Sequence, residues 1–316
     1  MHPLRPSGPL GSAALAVVLA ALLAACAGPA GGAGSPGSSA LQSSAPSSVA
    51  RPFTPQLISS ENVVGKNRFL FGILDVLGTK PLSDQTTKVE VTFQGGGSSP
   101  TTIPPTAARF IWAIPDERGI YAADVTFPNA GDWTVLVSAS GGSIPGGTVA
   151  VQFQVKEKGL AIPLGGKAPS TRTPTAANRA DIAKIASDPT PDPTFYTTSV
   201  DDALAQHKPF VLVFATPAFC TSQQCGPTLD GIKAVAKSET GVTFINVEPY
   251  KMAYTDGRLQ PVLDAQGQLQ VTDTTRAWGL LSEPWVFVVD REGIVRGSFE
   301  AVVSAEELKA AIASVR

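Results

Sequence analysis

A continuous apolar run at residues 209–215, closely followed by Cys220 and Cys225, constrains this chain more than any other segment. The run is bounded by turn formers and holds no charged or polar side chain, the pattern of a central strand covered on both faces. A helix is expected after the cysteines, over residues 227–237, so the pair sits at a strand-to-helix turn. On one regular helix a five-residue step would set the two side chains about 140° apart and ~7.5 Å along the axis. A disulfide tolerates Cα separations of only ~4.4–6.8 Å. Residues 221–224 therefore form a loop if the sulfurs are bonded, with Gly226 as the cap of the helix and Pro227 in its first position.

The third cysteine bears on where the pair works. Residues 1–9 hold one arginine, Arg5, and lead into an apolar stretch at 13–25 that ends Leu23-Ala24-Ala25 before Cys26. This resembles a bacterial lipoprotein signal peptide, cut before Cys26 with that thiol lipidated. The stretch is shorter than the ~20 residues a membrane span needs, and an ordinary secretory signal is the alternative. Lipidation of Cys26 leaves two cysteines on the extracytoplasmic side of the cell membrane, where disulfides persist. They are expected to pair with each other.

Length and composition set the remaining bounds. At 316 residues the chain suits two folded domains. A net charge of −2 leaves no basic excess, which excludes nucleic acid as a partner. After a signal peptide at 1–25, residues 26–52 are almost wholly Gly, Ala, Ser and Pro and read as a flexible tether. Residues 157–195, rich in Pro, Thr and Ala, read as a linker with one short helix near 178–186. The folded units are then 53–156 and 196–316.

The first unit alternates apolar and polar residues at Val89, Val91 and Phe93, at Tyr121, Ala123, Val125 and Phe127, at Trp133, Val135 and Val137, and at Val149, Val151, Phe153 and Val155. Short strands at this spacing favour an immunoglobulin-like β-sandwich. The segment 119–133 resembles a hairpin of small extracytoplasmic sandwich domains, some of which handle copper. Here, however, the unit contains no His, Cys or Met, so a soft metal would lack its usual ligands. Trp112 and Trp133 read as core aromatics, and the unit as a spacer or protein-binding module.

The second unit resembles the thioredoxin superfamily over nearly its whole length. The resemblance rests on a helix at 199–206 with Ser199 and Asp202 at capping-box spacing, the 209–215 strand, the dithiol, a strand at 242–247 and a helix near 272–278. Residues 250–271 are an insertion. The segment from Ser282 through Glu283, Pro284 and Trp285 matches the place where the family holds a cis-proline. A final amphipathic helix opens at Ser304 and carries Leu308, Ile312 and Val315 on one face. The expected fold class is thus an α/β thioredoxin-like domain, a central mixed sheet with flanking helices, preceded by an all-β sandwich.

That resemblance implies thiol–disulfide exchange through Cys220 and Cys225, with Pro284 beside them and Phe219, Glu283 and Trp285 as substrate-contact candidates. Exchange needs no cofactor; its partners would be protein thiols or a redox partner protein. By position after the strand, Cys220 is the attacking sulfur; by proximity to the helix N-terminus, Cys225 has the better claim to ionise. Two departures count against an oxidoreductase. The family's buried acid is replaced by Phe214, and two residues between the cysteines become four. The alternatives are a non-catalytic scaffold with a structural disulfide, binding through the Trp285 surface, and Cu(I) handling by two thiolates. For copper the chain lacks a nearby histidine, since His207 lies in the turn before the strand. A hydrolase reading fails because no histidine follows either cysteine to serve as base.

Overall fold

Alternating strands build the first half of the structure. They are β1 (Thr54–Leu57), β2 (Gly65–Leu74), β3 (Lys88–Gly95), β4 (Thr101–Ala107), β5 (Arg109–Ile114), β6 (Arg118–Phe127), β7 (Gly131–Ser140) and β8 (Gly147–Val155). Antiparallel pairing joins them into two sheets, ordered β1-β2-β6-β5 and β4-β3-β7-β8. Because successive side chains point to opposite faces, Val89, Val91 and Phe93 enter the shared core while Glu90 and Gln94 stay out of it. Aromatic rings fill that core, with Phe93 edge-on to Phe69 at 5.0 Å and to Phe127 at 5.3 Å. Trp133 is buried among them, whereas Trp112 is only half-buried.

This computed structural model describes residues 51–95 and 100–316, which belong to one compact unit. The expected signal peptide, Cys26 and all but the last two residues of the 26–52 tether lie outside the described residues.

The second half holds α1 (Arg179–Ile182), a 3-10 turn at Pro193–Tyr196, α2 (Val200–Ala205), β9 (Phe210–Phe214), α3 (Cys225–Ala236), β10 (Thr243–Val247), β11 (Met252–Thr255), β12 (Arg258–Pro261), α4 (Asp273–Ala277), β13 (Trp285–Val289), β14 (Val295–Glu300) and α5 (Ala305–Ala313). A four-stranded sheet runs β10-β9-β13-β14, with only β9 and β10 parallel. Its two central strands are buried on both faces, as their unbroken apolar sequences require. Phe210, Leu212, Phe214, Phe287 and Val289 face one core with Trp278; Val211, Val213, Val286 and Val288 face another with Leu229, Leu308 and Ile312. Residues 157–195 strap this sheet: Gly165 N–H donates to Val295 O and Val295 N–H to Gly166 O, both near 2.9 Å.

This architecture corrects the fold class expected from the sequence. Among the described residues strand makes up 39% and helix 15%, spread over several small sheets and few helices, and no central α/β thioredoxin fold is evident. Order of elements along a sequence carries no information on their length, and it is length that fails. Of the five α-helices among the described residues, three span only four to six residues, too short to form flanking layers. The 250–271 insertion adds strand instead, as the hairpin β11–β12 turning at Asp256 and Gly257, both at positive φ. Ser199 also departs from its expected role, since it makes no cap bond to α2. Its hydroxyl donates to Asp201 and accepts from Thr173 N–H at 2.9 Å.

The two halves are joined along the outer face of the β1-β2-β6-β5 sheet. Leu70, Ile111, Ile120 and Ala122 receive Val302, from the turn after β14. That turn is held by Ala301, whose φ is 59°, whose N–H donates to Pro284 O at 2.8 Å and whose carbonyl accepts from Thr228 Oγ1 at 2.9 Å. Nearby, Arg68 meets Glu307 through two charge-assisted bonds of 2.8 and 2.9 Å. Glu307 also completes the capping box of α5 with Ser304.

Candidate functional site: the Cys220–Cys225 loop

Cys220 and Cys225 are joined by a disulfide with a Cα–Cα distance of 6.0 Å. The loop between them turns at Gln223, whose φ is +61°. α3 begins at Cys225 itself, directly after Gln224, whose side chain makes no cap bond, so the expected start near Pro227 is two residues late. Proline fits the third helical position because N–H groups of the first turn have no partner within the helix. The Cys225 N–H instead finds Cys220 Sγ at 3.2 Å. The two sulfurs occupy different surroundings: Cys225 is fully buried against Leu229 and Ile232, while Cys220 is partly exposed.

Glu283 and Pro284 lie beside this loop, with a cis peptide bond between them. One Glu283 oxygen accepts from Thr221 N–H at 3.3 Å and its hydroxyl at 3.2 Å; the other accepts from Tyr250 at 2.5 Å. Burial, then the Glu283 carboxylate, pushes the Tyr250 hydroxyl well above the ordinary tyrosine value, so it stays a donor at neutral pH. Ser222 ties the two segments together, its Oγ 3.3 Å from both Cys220 Sγ and Glu283 O. On the other side, Gln224 reaches into the first half of the molecule and donates to Ala113 O at 2.6 Å.

Of the residues singled out from sequence, Cys220, Cys225, Glu283 and Pro284 converge, and Phe219 stands half-buried one step before Cys220. Trp285 does not form a binding surface. It is 8% exposed, stacks on Phe287 at 5.5 Å and donates its ring N–H to Ser282. His207 is exposed and paired with Arg291 O. Tyr250, Ser222 and Gln224 were not recognisable from spacing; Tyr250 is 33 positions from Glu283. A second buried acid, Glu248, follows β10 and accepts from Ser187 N–H at 2.6 Å, and burial raises its pKa.

The ligand atoms of Cys220, Cys225 and Glu283 lie within 4.8 Å of one another. Reduction would make two thiolates and a carboxylate available to a metal, a donor set that differs from the two-thiolate arrangement considered for Cu(I). In the disulfide form both sulfurs are committed to each other.

Comparisons with known proteins add no relative. No family model and no curated protein matches the chain. Among solved structures, MtrC of Shewanella baltica aligns at a TM-score of 0.25 and 12% identity, over 58% of this chain and 32% of that one. A Bacteroides vulgatus protein classed provisionally as a glycoside hydrolase aligns at 0.22 and 11%, over 69% and 37%. The chain thus spans about a third of the length of each, and likenesses this slight carry no argument about fold or activity.

Proposed function

We propose that the Cys220–Cys225 disulfide undergoes thiol–disulfide exchange with protein thiols outside the cell, on a protein anchored to the membrane through lipidated Cys26. The observation that carries the exchange reading is the asymmetry of the pair: one sulfur partly exposed on a loop, the other buried at the first residue of a twelve-residue helix. An incoming substrate thiolate attacks Cys220 Sγ, a new S–S bond forms, the Cys220–Cys225 bond breaks, and its electron pair leaves on Cys225 Sγ. A thiolate at that position is stabilised by the helix N-terminus. A second substrate thiolate then attacks the substrate sulfur of the mixed disulfide and releases Cys220 as a thiolate. The protein gains two electrons, the substrate dithiol loses two, and the substrate's protons pass to solvent or to the new thiols. With a disulfide substrate the steps run in reverse.

Equilibration of the protein with dithiothreitol buffers, read by alkylation and mass, tests this. A reduction potential above about −300 mV is expected, and one well below it assigns the bond to a structural role. The anchor is supported by the residues before Cys26. Fatty-acid labelling of the full chain is expected and is lost in Cys26→Ala; labelling that persists in this variant refutes the assignment.

A further inference from the structure

A cavity of about 450 Å³ opens between the disulfide loop and the outer face of the β1-β2-β6-β5 sheet. Ser222, Gln224 and Glu283 line it on one side, and Gly72, Arg118 and Ile120 on the other. Its volume is in the range of ligand-binding clefts. Ser222 places the cavity next to Cys220, because its hydroxyl touches both the sulfur and the Glu283 backbone.

Three charged residues line this space, and they differ in their commitments. Glu283 accepts from Thr221 and Tyr250, and Glu300 from Ser60 N–H and the Ser282 hydroxyl. Burial pushes Glu300 upward, toward its neutral form. Arg118 is half-buried, and among the described residues no hydrogen bond or ion pair engages its guanidinium. An arginine held in a cleft with an empty fork is a ready partner for a carboxylate. At the rim, the turn that contributes Gly78 and Thr79 also carries Val76 and Leu77, 59% and 79% exposed. Gly72 keeps the floor open: a Cβ built there would meet only Ile58 Cδ1, at 3.9 Å.

We propose that this cleft binds the substrate of the disulfide: an extended polypeptide segment whose cysteine meets Cys220 while a neighbouring acidic side chain pairs with Arg118 and an apolar one packs on Val76 and Leu77. The inference rests on the exchange reading and adds its substrate class. It also gives the first half of the molecule a role, since β2, β6 and the 75–79 turn supply one wall of the cleft.

The test uses two short peptides, each with a cysteine and a leucine, one carrying a glutamate near the cysteine and the other a lysine. With the full-length oxidised protein, the glutamate peptide is expected to exchange faster. Arg118→Glu should slow it at least about tenfold and favour the lysine peptide, and Gly72→Val, which narrows the floor, should slow both. Serine analogues of the peptides cannot exchange, so their binding to the protein separates the cleft from the chemistry. Preference for the glutamate analogue that reverses in Arg118→Glu supports the cleft whatever the potential of the disulfide. Equal binding of the two analogues to the wild type, or tightness for free glutamate equal to that for the peptide, overturns it. A potential well below about −300 mV would defeat only the exchange reading beneath it.

Discussion

The two sheets of the first half share one core but meet different surroundings on their outer faces. In the β4-β3-β7-β8 sheet the outward residues of β8 are exposed, and Thr134, Leu136 and Ser138 of β7 are only half-buried. In the β1-β2-β6-β5 sheet the outward residues Leu70, Ile111, Ile120 and Ala122 are buried beneath Val302. Along β3 buried and exposed residues alternate, whereas residues 69–73 of β2 and 119–123 of β6 are buried without a break. A sheet with a clean alternation folds against one partner, and one with a locally continuous apolar stretch is waiting for a second. Here that second partner is the half of the molecule that carries the disulfide.

Two core truncations set the scale of the contrast. Phe93→Ala removes a fully buried ring from the shared core and is expected to cost about 3–5 kcal/mol, measured by the urea midpoint at constant slope. Leu70→Ala lies on the outer face of the docked sheet and should cost about 2–5 kcal/mol, a core-like penalty. If Leu70→Ala instead cost less than about 0.5 kcal/mol, the level of an ordinary surface change, the second half would not cover that face in solution.

These regions were not equally legible. Alternation located the strands around Val89, Trp133 and Val149, because a half-buried strand writes its environment into every second residue. The capping box at Ser304 and Glu307 and the stripe of Leu308, Ile312 and Val315 likewise carried their own signal. Trp285 was misread as surface although it opens the unbroken apolar strand β13, where burial on both faces follows from the pattern. The fold class was lost because element order says nothing about helix length or layering. At the site, the loop between the cysteines followed from disulfide geometry, yet Tyr250, Ala113 and Arg118 come from distant segments brought together only by tertiary packing.

The ion pair across the docked face sharpens the comparison by its response to pH. Burial alone would raise the Glu307 carboxyl, but Arg68 and the Ser304 N–H hold it below its ordinary value of 4.5. A depressed carboxylate contributes stability that is present above about pH 4.5 and is lost as pH falls through the lower folded value. Arg68→Ala should therefore cost about 1.5–3 kcal/mol at pH 7 and flatten the acid limb of the stability profile. Glu300, raised by burial, runs the opposite way: its contribution is present below 4.5 and is lost as pH rises through its folded value. Glu300→Gln should then gain on the wild type as pH rises. An acid limb unchanged in Arg68→Ala would show that the pair does not form.

The smallest effect belongs to the free sheet. Gln152 is exposed in β8, opposite Thr134 of β7, between the inward-leaning Val151 and Phe153. Gln152→Ala removes no buried area and leaves the strand ladder intact, so only the weaker strand preference of alanine acts and the change should stay within about 0.5 kcal/mol. Polarity alone does not decide this outcome, because Leu70 and Gln152 both lie on outward faces of paired strands in the same two-sheet body. What separates them is that, among the described residues, one face is covered and the other is not. A loss above about 1 kcal/mol at Gln152, on the scale of a buried contact, would mean that the second sheet also has a partner, and the difference between the sheets would no longer explain which of them carries the site.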